Sequence, residues 1–375
     1  MKVFWLVLSI FIIHLDAQSI KIDRDKEVQD YYQNWKQNYL IKEKNSLYRI
    51  ATDKKDKQKT VSEGQGYGML ITALMTKNDK DSQKVFDGLW RFSRDHQSSL
   101  SKNLMSWEVP EKKGANSSAF DGDADIAYAL ILAHYFWGSK GEIDYKKEAN
   151  RVLDAIWKYT IGDKSHLPLL GDWVHNSSEK YNQYTVRTSD FMTGHFKAFY
   201  RFSGDKKWLK VVKATQKALL DVQDKKTGLI PDFIRYDHKK GEFVAEKEGF
   251  LEHHDGAYYY NGCRIPFRLG VDVLINKDEV SKKIVQKLSR WIEKTSQNDP
   301  LKIKSGFELD GKVIGDYFSI VFTAPFGVSA LATSQKDFAT KIYDVVKNRH
   351  ENYYEDSVAL LSLLAMTGNF IDPTK

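Results

Sequence analysis

The sequence predicts an all-α protein, a double-layered (α/α)6 barrel of six helical hairpins with short β elements in its loops. Three observations carry that expectation. Apolar residues recur at helical spacing from one end of the chain to the other, in about twelve segments. The segments are of two kinds. Those beginning at Ser62, Asp121, Asn261, Ile314 and Tyr354 are apolar and rich in small residues, whereas Asp81–His96 and Val280–Lys294 carry one apolar stripe with charged residues opposite. Helices of the first kind suit an inner layer and those of the second an outer one. No Pro-, Gly- or Ser-rich linker and no shift of composition divides the 375 residues, so one large domain is expected.

In chain order the helices are expected near 26–39, 62–76, 81–98, 122–137, 144–160, 188–203, 206–222, 258–276, 279–297, 314–332, 335–348 and 354–367. Ser62 reads as an N-cap, Asp79, Ser189, Asp205 and Ser334 signal further starts, and Gly138, Gly204 and Gly368 follow helices as stops. The stretches 99–120, 161–187, 224–257 and 298–313 carry few helical signals, and loops of that length build functional surfaces on such scaffolds. No repeat is regular enough for a solenoid.

Residues 1–17 have the layout of a secretory signal peptide: Lys2, an apolar run from Val3 to Ile13, and small Ala17 as the cleavage point. A run this short does not span a bilayer stably, so the mature chain, 18–375, is expected to be secreted and free of the membrane. Cys263 is the only cysteine, which excludes an internal disulfide and a thiolate metal cluster. Lysine and arginine total 57 against 50 acidic residues, a net charge of +7. The leader holds one Lys and one Asp, so its removal leaves +7 unchanged. The excess reads as spread along the chain rather than gathered into a stripe, which argues against nucleic acid as a partner. A cationic polymer would be repelled, a neutral one tolerated and an anionic one attracted.

Two segments carry the chemistry. Thr60-Val-Ser-Glu63-Gly-Gln-Gly-Tyr67-Gly-Met-Leu places one carboxylate at the mouth of a helix whose glycines permit close approach. Ala119-Phe-Asp121-Gly-Asp123-Ala-Asp125 places three carboxylates at alternate positions before a strongly apolar helix. Charges so close repel, so they must be paired, hydrogen-bonded or shifted in pKa. Their spacing matches the start of a calcium loop, but the later Gly and the bidentate Glu are missing. His195, His253 and His254 form no ligand set with carboxylates at metal spacing, so neither a metal nor another cofactor is expected.

With Met105-Ser-Trp107, Ser189-Asp190-Phe-Met192, Tyr259-Tyr260-Asn261-Gly-Cys263-Arg264-Ile-Pro266-Phe-Arg268 and Tyr353-Tyr354-Glu-Asp356, these segments resemble glycoside hydrolase family 8 over nearly the whole mature chain. The resemblance implies inverting cleavage of β-1,4-linked polysaccharide on an (α/α)6 barrel. It implies Glu63 as the general acid and Asp121 as the residue that binds the sugar at the cleavage point. A helix N-terminus lowers the pKa of Glu63, so burial or a neighbouring anion must raise it again.

The base position departs from the commonest family pattern, because Asn261 stands where many members carry Asp, and an amide takes no proton from water. The subfamily of chitosanases and lichenases also has Asn there and recruits a glutamate from the preceding loop. Glu242, Glu246, Glu248 and Glu252 are the candidates, with Glu252 favoured because Phe250 and Leu251 can anchor its loop; Asp190 and Asp255 are rivals, and Asp190 and Asn261 are expected among the substrate-binding residues. Trp107, Trp173, Tyr260 and Tyr354 are expected as sugar platforms, and Arg264 and Tyr67 as groups that orient the carboxylates. Trp90, Trp157, Trp208 and Trp291 fall in outer helices and suit core packing. The expected partner is a polysaccharide bound by a monomer. A β-1,4-linked glucan, with or without mixed linkages, comes first; chitosan and the cell's own exopolysaccharide are alternatives, as is a binding protein that lost catalysis through Asn261.

Overall fold

Twelve α-helices form among the residues that the computed structural model describes, 24–111, 116–175 and 178–375; the segment read as a leader, 1–17, lies outside them. They are α1 (24–39), α2 (Ser62–Leu74), α3 (Ser82–Asp95), α4 (Phe120–Trp137), α5 (Tyr145–Tyr159), α6 (Thr193–Ser203), α7 (Lys207–Val222), α8 (Ile265–Asn276), α9 (Glu279–Thr295), α10 (Ile320–Ala332), α11 (Lys336–Val346) and α12 (Tyr353–Met366). The even-numbered helices touch in cyclic order, α2 to α4, α6, α8, α10, α12 and back to α2, and so close an inner barrel. The odd-numbered ones pack outside it. α1 is fastened to α12 by Trp35 Nε1 on Ser357 Oγ, 2.9 Å, and Tyr39 OH on Asp356 Oδ2, 2.7 Å.

The two residue patterns map onto the two layers. α2, α4, α10 and α12 are buried along almost their whole length, as apolar, small-residue helices must be. α9 buries only the stripe Ser281, Ile284, Val285, Leu288, Ser289 and Ile292. Layers this close need glycine where backbones cross. A Cβ on Gly122 of α4 would lie 2.4 Å from the carbonyl carbon of Ser62 at the head of α2.

Connections from an inner helix to the next outer one are short, and Gly138 and Gly204 end α4 and α6 at φ 73° and 74°. Connections into the inner helices are long, except the short one between α11 and α12, so every long loop lies over the N-terminal ends of the inner barrel. Short antiparallel strands order these loops: β1 (Leu40–Lys42) on β2 (Tyr48–Ile50), β3 (Thr60–Val61) on β4 (Glu108–Val109), β5 (Thr185–Arg187) on β6 (Phe233–Asp237) and then β7 (Glu242–Ala245), and β8 (Ser305–Phe307) on β9 (Val313–Gly315).

Several helix starts differ from the sequence expectation, because other partners take the backbone. α6 begins at Thr193 rather than near 188, since Thr188 N donates to Asp232 O and Thr188–Asp190 form a separate 3-10 turn. α8 begins at Ile265 rather than near 258, since Tyr258 pairs with Phe307 and Asp232 captures the N–H groups of Tyr259, Asn261 and Gly262. α10 begins at Ile320 rather than near 314, since Val313–Gly315 is a strand and Ser319 caps the helix. Ser62 is not the N-cap of α2. Extended Val61 holds that place, Ser62 N donates to Trp107 O at 2.9 Å, and Ser62 Oγ is buried without a partner. Asp79 lies ahead of α3 and instead accepts from Tyr32 and Lys36 of α1, while Ser334 leaves the N-cap of α11 to Gln335.

Candidate active site

Four N-terminal turns meet under the long loops, bringing Glu63 of α2, Asp121 of α4, Arg264 ahead of α8 and Tyr353 of α12 together. Arg264 is the hub. Its Nη1 donates to Glu63 Oε2 (2.8 Å), Asp121 Oδ2 (3.0 Å) and Tyr67 OH (3.3 Å), and its Nη2 to Ser189 Oγ and Asn261 Oδ1 (both 2.9 Å). A guanidinium only 2 % exposed is tolerable because its planar fork meets two carboxylates at once. Tyr67 therefore acts on the carboxylates through Arg264, not by touching them.

The two carboxylates that share this arginine are driven apart. Burial pushes Glu63 above its ordinary range, Arg264 opposes that, and the anion at Asp121 pushes the same way as burial; Tyr353 OH, 2.9 Å from Glu63 Oε1, opposes more weakly. Burial acts on Asp121 too, but Arg187, Nη2 at 3.4 Å, and Arg264 outweigh it and bring it down to about 2. One is poised to hold a proton and the other to stay charged. Glu63 keeps 19 % of its side chain exposed against 3 % for Asp121, so the acid with the raised pKa is the one that reaches solvent.

The other acidic residues of the second motif are structural. Asp125 is gripped by Arg268, at 2.8 and 2.6 Å, and lies 2.9 Å from His195 Nε2. Asp123 accepts from Met105 N at 2.8 Å, and burial raises it well above the carboxylate range. Neither side chain faces Glu63. Asp190 is paired by Arg187 Nε at 3.1 and 3.2 Å, and burial lifts it to about 7.

Asn261, held on the other terminal nitrogen of Arg264, donates from Nδ2 to Glu252 Oε2 at 3.1 Å and to Asp232 Oδ2 at 3.2 Å. Glu252 and Glu63 thus sit at opposite ends of one relay, Glu63–Arg264–Asn261–Glu252, made of three hydrogen bonds and two planar groups. Asp255 shapes the loop, accepting from the N–H groups of Phe250, Leu251 and Glu252, so this rival is spent on backbone. The other glutamates lie elsewhere. Glu242 opens β7, Glu246 lies 3.7 Å from Arg235, and Glu248 accepts from His254 N.

Aromatic groups border the carboxylates. Tyr260 OH meets Tyr317 OH at 2.8 Å, and Tyr354 OH donates to Tyr260 O at 2.5 Å with its ring 5.7 Å from the Arg264 guanidinium. Trp107 is half-buried with Lys59 Nζ 5.6 Å from its ring, and its carbonyl accepts from Ser62, the residue before Glu63. Trp173 meets Tyr181 edge-on at 5.1 Å within the cluster of Phe233 and Phe250, the apolar base of the Glu252 loop. Among the outer tryptophans, Trp90 and Trp208 are core residues, whereas Trp157 and Trp291 are half-buried.

Sequence reasoning missed Tyr353, Arg187 and Asp232. Tyr353 needs Gly64, where a Cβ would meet its hydroxyl at 2.8 Å. Arg187 stands three residues before Asp190 and could have been found by asking what neutralises Asp121. Asp232 carried no signal, being a lone acid in a loop; burial raises it to about 7 although it accepts from three backbone N–H groups.

A helical barrel that gathers a carboxyl raised by burial, a carboxylate held low by two arginines and a glutamate joined to them through Asn261, beside aromatic side chains, fits the class of polysaccharide hydrolases that work by general acid and base. Residues 13–368 match the sequence model of Glycosyl hydrolases family 8, and the chain belongs to that family. It is 38% identical to an endoglucanase of Bacillus sp. strain KSM-330 over 96% of this chain and 79% of that protein. It is 34% identical to a beta-glucanase of Niallia circulans over 92% and 85% of the two chains. The solved apo structure of a beta-1,3-1,4-glucanase from Paenibacillus sp. X4 superposes with a TM-score of 0.89 at 34% identity, covering 93% of each chain. The protein is a glycoside hydrolase.

Proposed function

We propose that the enzyme cleaves internal β-1,4 bonds of β-glucan, mixed-linkage glucan first, with inversion at the anomeric carbon. The substrate rests on the relatives, which are named as endoglucanases and glucanases. The mechanism rests on one observation, the Asn261–Glu252 hydrogen bond, which supplies a carboxylate where the usual aspartate is replaced by an amide.

In this reading Glu63, whose pKa burial raises, gives its proton to the glycosidic oxygen as the C–O bond breaks. Glu252 takes a proton from the water that attacks the opposite face of the sugar. The proton it gains passes to solvent, since Glu252 is exposed, and Glu63 is reprotonated from the cleft. Inversion needs the two carboxyl groups about 6.5–9.5 Å apart to admit that water, a span compatible with a folded Arg264–Asn261 relay. Asn261 is a positioning residue. Asp121, held charged by its two arginines, accepts from hydroxyls of the sugar at the cleavage point, and Trp107, Trp173, Tyr260 and Tyr354 stack on neighbouring rings. Residues 1–17 direct secretion and 18–375 act as a monomeric catalytic domain. No helix among the described residues is long and apolar enough to cross a membrane.

The test is formation of new reducing ends by residues 18–375 and by Glu63→Gln on mixed-linkage β-glucan, carboxymethyl cellulose and chitosan. Turnover of the glucans that disappears in the variant supports the reading. Turnover of chitosan alone, or an unimpaired variant, overturns it.

A further inference from the structure

The net charge is less evenly spread than composition suggests. Lys283, Lys287, Arg290 and Lys294 recur at helical spacing along the exposed face of α9, and Lys226 from the loop after α7 joins them around a groove of about 490 Å³ that Trp291 also lines. This corrects the expectation of a dispersed excess. None of these five cations forms a side-chain ion pair among the described residues, although acids are near: Asp224 accepts from the backbone N–H of Lys226 and feels its charge, Glu279 pairs with Lys282 at 3.5 Å, and Glu293 is engaged by Gln335. Like charges one turn apart on a helix oppose its stability, so the stripe is not there to stabilise α9.

Trp291 sets the patch apart from a merely solvated face. Its indole packs edge-on against Phe307 at 5.2 Å and beside Gly311, which holds it at the groove while it stays only half-buried. A flat ring held among unpaired cations fits an acidic sugar, whose C–H face stacks on the indole while its carboxylates meet ammonium and guanidinium groups. The groove is also coupled to the catalytic face. Phe307 exchanges hydrogen bonds with Tyr258 at 3.0 and 2.9 Å, two residues before Tyr260 of the cleft.

We propose that the α9 groove is a second, non-catalytic binding site for a uronate-bearing, anionic polysaccharide. It would hold the enzyme on a charged matrix while the cleft works on neutral glucan.

The experiment measures binding of oligogalacturonate, inorganic polyphosphate and duplex DNA to the full mature chain by calorimetry at low and high salt, beside Lys287→Glu/Arg290→Glu and Trp291→Ala. Oligogalacturonate is expected to bind at low salt, to weaken as salt rises, and to bind about tenfold more weakly to the charge-reversed variant, as loss of partly exposed charge pairs implies. Trp291→Ala is expected to weaken oligogalacturonate several-fold and leave polyphosphate unchanged. Hydrolysis of soluble β-glucan should be the same for the wild type and the charge-reversed variant, whose substitutions lie on the surface. Undiminished oligogalacturonate binding by the charge-reversed variant, tighter binding of DNA than of oligogalacturonate, or no binding at low salt would overturn the proposal.

Discussion

At the scale of residues, one arginine settles the division of labour between two acids. Arg264 touches Glu63 and Asp121 about equally, yet the second cation, Arg187, lies within ion-pair distance of Asp121 and acts only weakly on Glu63, so burial raises Glu63 while the two arginines hold Asp121 low. Glu63→Gln is expected to lower kcat by about 10²–10⁴-fold, the usual worth of a general acid, with little change in KM. The pH profile follows from the sign of the shift. A general acid works only while protonated, so kcat/KM should hold to higher pH than an ordinary glutamate would allow and fall as pH rises through the raised pKa. Stability has the opposite dependence at Asp121. Its pKa is brought from 3.8 to about 2 on folding, so its contribution is present above about 4 and lost as pH falls toward 2, which acid titration of the unfolding midpoint measures. Much of this was legible in the sequence. Glu63, Asp121, Arg264 and Asn261 lie in motifs, and Glu252 followed from asking what replaces an aspartate that is absent. Tyr353 was not separable from its neighbour Tyr354, because which of two adjacent tyrosines faces the cleft depends on the rotation of α12, set by packing against Gly64.

At the scale of elements, the existence and order of the helices were legible and several starts were not. Periodicity reports which face is buried, and inner helices buried all round give little phase to mark where they begin. The starts of α6 and α8 are fixed instead by contacts between residues tens of positions apart, and that of α10 by the β8–β9 hairpin just before it. The packing of α2 on α4 makes a firmer claim. Gly122→Ala forces a methyl against the backbone of Ser62, next to Glu63, and should cost about 1–3 kcal/mol in denaturant unfolding, with a loss of kcat beyond the unfolded fraction. Asp255→Ala frees the loop that carries Glu252. It is expected to lower kcat/KM by up to about a hundredfold through misplacement, and to cost about 1–3 kcal/mol of stability in denaturant unfolding because the N–H groups it accepts from, that of buried Phe250 among them, lose their partner.

At the scale of the molecule, the alternation of short and long connections puts the long loops at one end of the barrel and leaves only short connections at the other. Chemistry can then vary in the loops while the barrel supplies fixed N-terminal turns. The ring depends on its seam, where the first helix meets the last. Trp35 is fully buried there with its indole N–H on Ser357, and Trp35→Ala should cost about 3–5 kcal/mol of stability while leaving the kcat of the folded fraction intact, as paired unfolding and active-site-normalised rate measurements would show. The signature of two layers was legible in composition alone. The seam was not, since it joins residues more than 300 positions apart.

The account turns on Glu252 as the base, and the most direct test is the hydrolysis of mixed-linkage β-glucan by Glu252→Ala with and without azide. The expected result is a rate about 10²–10⁴-fold below wild type with similar KM, partly restored by azide and yielding an α-glycosyl azide, since the small anion replaces the water that the missing carboxylate would activate. Near-wild-type turnover without azide, or a β-configured product, would contradict it.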